Sequence, residues 1–128
     1  MIDHTGINAS DLATSRAFYE RVLATLGYVV RLDVGVGVGF GAADETVGAD
    51  PGGDFWISQG TPFTPRSHIA FRAAGPEQVR AFHEAALAAG GRDNGAPGPR
   101  PQYHVGYYAA FVLDPDGYNI EAVFHGDA

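Results

Sequence analysis

Two histidines and one glutamate, far apart along the chain, are the residues best suited to joint chemistry. His4 and His68 stand at the starts of two candidate strands, and Glu121 lies within a third. Side chains alternate across a strand. In residues 2–9, Thr5 and Ile7 share one face, opposite His4, Gly6 and Asn8. In residues 67–74, Ile69 and Phe71 oppose His68, Ala70 and Arg72. In residues 118–125, Ile120, Ala122 and Phe124 form the apolar face, and Glu121, Val123 and His125 the other. The two imidazoles and the carboxylate are thereby expected on the polar side of one sheet system. Such a donor set suits a divalent first-row cation (Zn, Ni, Mn or Fe) with positions left for water or substrate.

Further candidates surround this set. His104 lies among Tyr103, Tyr107 and Tyr108 and is a candidate general acid or base, with Glu121 a second candidate. Trp56, Arg72 and Tyr108 are candidates to line a substrate cavity. Arg72 would clamp an anionic substrate or pair with an acid at the rim. His83 sits on a helix and is expected to fill a helix–sheet boundary. No Ser-His-Asp grouping occurs at a G-x-S-x-G elbow.

Composition removes other chemistries. The 128 residues hold no cysteine and no lysine, so disulfides, thiolate nucleophiles, Schiff bases and a phosphate-loop lysine are excluded. Fifteen acids against eight arginines give a net charge of −7, which repels a phosphate backbone. Nucleic-acid binding is therefore not expected. No apolar run is long enough for a membrane helix, and the start Met1-Ile2-Asp3-His4 lacks a signal-peptide pattern. A cytoplasmic protein with a small-molecule substrate is the expectation.

The elements that must position these residues come in two copies. Shifting the sequence by 64 residues lays Arg16-Ala17-Phe18-Tyr19-Glu20 over Arg80-Ala81-Phe82-His83-Glu84, Leu23 over Leu87, Gly27 over Gly91 and His4 over His68. Each half reads as a strand, a helix and three strands. The helices carry Phe18, Tyr19, Val22, Leu23 and Leu26 in the first half, and Val79, Phe82, His83, Ala86 and Leu87 in the second. Ser10 is expected to cap the first helix, Pro76 to open the second, and Gly27 and Gly90 to end them. Later strands are expected at 28–34, 36–42 and 54–59, then at 92–95, 106–113 and 118–125. A turn at Asp114-Pro115-Asp116-Gly117 joins the last two. Glu45–Gly53 and Gly95–Gln102 read as loops. One domain results, α+β in class, with modules at about 1–60 and 66–128. The glycines of Gly35-Val36-Gly37-Val38-Gly39-Phe40-Gly41 alternate strictly and do not form a nucleotide loop. They predict a strand with Val36, Val38 and Phe40 toward the helix and its other face bare for a ligand or another chain.

Asp3-His4-Thr5-Gly6-Ile7, then Asp11-Leu12, Ser15, Phe18-Tyr19 and Leu26-Gly27-Tyr28, resemble the first module of the vicinal oxygen chelate superfamily, which includes glyoxalase I, bleomycin-binding and fosfomycin resistance proteins and extradiol dioxygenases. Ser67-His68-Ile69-Ala70-Phe71 resembles the start of its second module, and Phe111–Glu121 its closing hairpin. The resemblance implies paired βαβββ modules, a curved mixed sheet with helices on the outer face, a metal within it, and a homodimer. It places metal ligands at His4, His68 and Glu121. The fourth ligand position of glyoxalase I would fall at Ile57 by the 64-residue shift, or at Trp56 or Ser58 by strand parity; none is a usual ligand. Two functions follow, beside a degenerate scaffold that retains the histidines structurally. One is a metal-dependent enzyme acting by Lewis-acid activation on a small oxygen-chelating substrate. The other is a non-catalytic protein that sequesters an antibiotic, as bleomycin-binding members do.

Overall fold

The computed structural model describes residues 1–44 and 51–126. Its elements run β1 (Thr5–Ala9), α1 (Leu12–Ala24), β2 (Tyr28–Asp33), β3 (Gly37–Ala42), β4 (Phe55–Gln59), β5 (His68–Arg72), α2 (Pro76–Ala88), β6 (Arg92–Pro99), β7 (Tyr107–Leu113) and β8 (Asn119–His125). The strands form two four-stranded mixed sheets, ordered β1-β4-β3-β2 and β5-β8-β7-β6. In both, the first and last strands of the module pair in parallel and the remaining pairs are antiparallel. The halves thus share one topology, and the α+β fold with two βαβββ modules is the one the sequence implied.

Helical spacing explains the core. On α1, Ser15, Phe18, Tyr19, Val22 and Leu23 are buried; on α2, Val79, Phe82 and Ala86 are. These stripes recur at three- and four-residue intervals, so each helix buries one face. They meet Ile7, Val38, Phe40, Phe55 and Ile57 of the first sheet and Phe71, Ala110, Val112, Ile120 and Ala122 of the second. Phe55 and Phe71 join the modules edge to face, with ring centroids 5.1 Å apart. The Asp114–Gly117 turn is tied to the first module. Tyr19 Oη donates to Asp114 Oδ2 at 2.5 Å, and Ser10 Oγ donates to Asp116 Oδ1 at 2.5 Å. Burial raises the Asp114 carboxyl above its ordinary pKa, although Tyr19 and the backbone N–H groups of Tyr118 and Asp116 oppose that shift. The turn therefore fastens helix α1 to the hairpin that carries Glu121.

Several local expectations are corrected. Asp11, not Ser10, caps α1, accepting from Thr14 N at 3.3 Å, because Ser10 is engaged by Asp116. β1 begins at Thr5, so strand alternation does not fix the direction of His4. Val36 precedes β3 and is 71% exposed, whereas Val38 and Phe40 do face the helix. Residues 95–99, read as loop, continue β6, with register slips at Asp93/Gly95 and Gly95/Gly98. Gly35–Gly41 does not leave a uniformly bare face. A Cβ on Gly39 would stand 2.1 Å from Gly52 O and 2.6 Å from Trp56 Cε2, and one on Gly41 would stand 2.9 Å from Gly53 Cα. The chain covers these glycines itself. Most of the Glu45–Gly53 loop lies outside the described residues.

Candidate metal centre

Register places the second module's polar residues on one face. Glu121 pairs with Ala70 on β5 and Phe111 on β7; Asn119 pairs with His68 and Leu113. Their neighbours Ile120, Ala122, Val112 and Phe71 fill the core, so Glu121, Asn119, His68 and Phe111 project to the opposite side.

His68 is oriented from behind. Its Nδ1 lies 2.8 Å from the Asn119 carbonyl oxygen, which can only accept, so Nδ1 carries the proton. Nε2 faces Glu121 Oε1 at 2.9 Å, a contact that needs either a proton on Nε2 or a cation shared by the two atoms. The imidazole is 46% exposed; the carboxylate is 4% exposed. Tyr107 Oη donates to the other carboxylate oxygen, Oε2. Burial, followed by this bond and the carboxylate's charge, pushes the Tyr107 phenol up to about 12. Phe111 stacks on the imidazole, centroid to centroid at 6.2 Å.

This donor set fits a cation. An imidazole held at Nδ1–H by a carbonyl, with its other nitrogen toward a hydrogen-bonded carboxylate, matches the outer-sphere arrangement of metal-ligating histidines. Two donors bound about 2.0–2.2 Å from a shared metal stand roughly 3 Å apart, close to the separation of Nε2 and Oε1.

The remaining candidates are distributed as follows. His4 lies ahead of β1, 59% exposed, with Nδ1 2.6 Å from Asp3 Oδ1. Among the described residues no group of three or more histidine or acidic side chains is close enough to hold a metal. One chain therefore assembles the His68–Glu121 pair without His4. His104 is exposed. Its Nδ1 lies 2.7 Å from Val105 O and its Nε2 2.9 Å from His125 Nδ1, and the two rings stack at 5.1 Å. The Tyr107 ring meets both edge to face. His83 fills the helix–sheet boundary as expected, with Nε2 2.9 Å from Asp93 Oδ1. That bond, with Gly95 N–H, holds the Asp93 carboxyl below its usual range.

Of the cavity candidates, Arg72 borders a cavity of about 360 Å³ that Asp3, Tyr28, Asp54 and Phe71 also line. Trp56 pairs with Gly6 and Gly39 and lays its indole over the glycine row. Tyr108 is corrected. It pairs with Phe124, packs on the core side, and accepts from Arg80 Nη1 at 3.2 Å. Tyr107, its neighbour, occupies the Glu121 face. The alternation of β7 carried that signal, because Tyr107 and Phe111 share a parity opposite to Ala110 and Val112.

Comparison with known proteins agrees with this architecture. The family model "Glyoxalase/Bleomycin resistance protein/Dioxygenase superfamily" matches residues 1–122. The chain belongs to that superfamily. It is similar to a glyoxalase/bleomycin resistance protein from Albidiferax ferrireducens T118, with 29% identity, 95% of this chain and 96% of that one covered, and a TM-score of 0.76. Two further structures share the fold. A glyoxalase/bleomycin resistance protein/dioxygenase family enzyme from Burkholderia phytofirmans PsJN has 18% identity, 97% and 98% coverage and a TM-score of 0.68. The fosfomycin resistance protein FosX from Listeria monocytogenes, in a complex with Mn(II) and a dihydroxypropylphosphonic acid, has 22% identity, 95% and 87% coverage and a TM-score of 0.67. No curated protein matches the chain. The superfamily includes enzymes, and among the described residues no helix is long and apolar enough to cross a membrane.

Proposed function

We propose that this protein is a metal-dependent enzyme of its superfamily, acting on a small oxygen-rich substrate, with His68 and Glu121 as two ligands of a divalent first-row cation. The observation that carries this reading is the orientation of His68. A backbone carbonyl fixes its Nδ1 proton, and its other nitrogen meets a buried carboxylate steadied by Tyr107. Mn(II) in the structurally similar FosX supports the choice of a first-row divalent ion.

His4 of a second copy of the chain is the proposed third ligand. β1 and β5 end their respective sheets, so each has an edge that no strand of its own sheet covers. Unpaired edges favour association with another chain. When bound, the cation would supply Lewis-acid activation of neighbouring substrate oxygens. The chain's own groups hold and orient: Asn119 O fixes the imidazole, Tyr107 fixes the carboxylate, and Phe111 excludes water from one ring face. His104, at the far end of the same face, is the proposed proton carrier.

Metal analysis of tag-free protein after dialysis against Mn²⁺, Zn²⁺, Ni²⁺ and Fe²⁺ tests the reading. One equivalent per chain is expected for one of these ions. His68→Ala and Glu121→Ala should each weaken binding by at least about 100-fold, and His4→Ala should weaken both binding and dimerisation. Substoichiometric metal under every condition overturns it. A sequestering protein is the second reading, favoured by the indole laid over the glycine row. Thermal stabilisation by bulky aromatic cations, with none by metals, would select it.

A further inference from the structure

We propose that the cavity beside His68 is an oxyanion subsite and that Arg100 selects substrates bearing a carboxylate or a phosphate-type group. Calling its occupant a substrate rests on the metal-centre reading; the anion site itself rests on separate observations.

The cavity, about 390 Å³, is lined by Asn94, Gly95, Arg100, Tyr103, Phe111 and Asn119. It is of a size for a small molecule. Among the described residues no acid lines it, in a chain with fifteen acids and eight bases. The cavity at Arg72 carries Asp3 and Asp54, and one beside α1 pairs Arg16 with Asp33. Arg100 is different. Its Nη1 donates to Gly98 O at 2.9 Å and Pro99 O at 3.3 Å, and its Nη2 to Ala96 O at 2.8 Å. Its Cζ lies 5.4 Å from the Phe111 ring centroid. Neutral carbonyls fix the guanidinium without cancelling its charge. These contacts use at most three of its five N–H groups, leaving two, the number that grips a carboxylate or phosphate in a bidentate pair.

The sequence builds this feature deliberately into β6. Gly95 has φ +155, and a Cβ there would stand 2.8 Å from Phe111 Cδ1 and 3.3 Å from Arg100 Nη2. Glycine lets the arginine fold back over its own strand. Further donors converge nearby. Asn119 Oδ1 accepts from Asn94 Nδ2 at 3.2 Å, which turns its own amide N–H groups to other use. The Tyr103 side chain is exposed at the cavity. The subsite is joined to the metal centre by two residues: Phe111 packs on both Arg100 and His68, and the Asn119 carbonyl holds His68. An anion on Arg100 therefore lies on the same sheet face as the His68–Glu121 pair.

The test is calorimetric titration of chelator-treated protein with inorganic phosphate and, separately, acetate, at fixed ionic strength. Binding of at least one is expected, and whichever binds identifies the oxyanion type. Arg100→Gln should weaken it by at least about tenfold. Because Arg100 also ties three carbonyls, Asn119→Asp is the second variant: it brings a carboxylate into the cavity, leaves Arg100 in place, and should weaken binding by a similar factor. Arg92→Gln should bind as the parent does. His68→Ala should still bind the anion while losing Mn²⁺. If neither probe binds, or if both cavity variants bind as the parent does, the subsite is overturned whatever the Mn²⁺ result. Anion binding without metal binding overturns the metal reading and leaves the subsite standing.

Discussion

The two modules share strand order and the register of β1-β4-β3 with β5-β8-β7, yet they spend equivalent positions differently. Gly6 of β1 and Ala70 of β5 correspond under the 64-residue shift. Gly6 pairs with Trp56, and Ala70 pairs with Glu121. Trp56 is therefore the structural counterpart of Glu121, although the shift itself lands on Ile57, which is fully buried on the helix side. On the next strand inward, Gly39 faces Trp56 where Phe111 faces Glu121. Module 2 sets a carboxylate between an imidazole and a phenol, with Phe111 as a wall. Module 1 sets an indole over a glycine row, closed by the backbone of Gly52 and Gly53. One pleat position thus holds a filler in module 1 and the proposed ligand in module 2, beside a glycine in the first and a phenylalanine in the second.

The sharpest break in this comparison is Gly39→Ala. Its new Cβ would meet the Gly52 carbonyl oxygen at 2.1 Å and the indole at 2.6 Å. Backbone cannot yield as a flexible side chain does, so a loss of about 3 kcal/mol, at the upper end of overpacking costs, is expected. The urea midpoint measures it. An unchanged midpoint would mean that module 1 is open along its glycines after all.

Trp56→Glu asks whether the proposed ligand face can be copied into module 1. The indole's packing over Gly39 is lost, at about 2 kcal/mol for a half-buried aromatic. No second site is expected, because His4 lies ahead of β1 and outside the register that sets Gly6 beside Trp56, and Gly39 offers no wall. The number of Mn²⁺ ions bound per chain should not rise. A gain of one ion would show that the carboxylate is enough and that the neighbours contribute little.

The duplication, both helices and the Asp114–Gly117 turn were legible because each rests on local pattern. Helical stripes, a proline at the first turn and a glycine past the end depend on nearby residues. The pairing of His68 with Glu121 was legible by parity, since both lie inside regular strands. His4 shows where parity stops: alternation has no meaning before the first strand residue, and His4 lies one position outside β1. The Gly35–Gly41 face was misread because its cover comes from Gly52, Gly53 and Trp56, which sequence periodicity does not bring to β3. Arg100 was hidden for a related reason. It follows a strand with two register slips, and its side chain is fixed by carbonyls of residues 96, 98 and 99 rather than by any charged partner a pattern would suggest.

Each module also holds a tyrosine–carboxylate pair, and the two should differ in strength. Tyr28 Oη donates to Asp54 Oδ2 at 3.0 Å, and Tyr107 Oη donates to Glu121 Oε2. Burial first, then the hydrogen bond and the carboxylate's charge, lift both phenols from 10.0 to about 12. An acid whose folded pKa lies above its unfolded value stabilises the fold while protonated. That contribution is complete below pH 10.0 and is lost as pH rises toward about 12. Tyr28→Phe and Tyr107→Phe should each flatten the alkaline fall in stability across this window, read from urea midpoints at successive pH values. At neutral pH they should part. Asp54 is exposed, so water replaces the lost donor and Tyr28→Phe costs about 0.5–1 kcal/mol. Glu121 is buried, so Tyr107→Phe strands a carboxylate oxygen and costs about 1–3 kcal/mol. Equal neutral-pH costs would mean that water reaches Glu121 Oε2 as freely as it reaches Asp54, and that the second module's carboxylate is no better held than the first's.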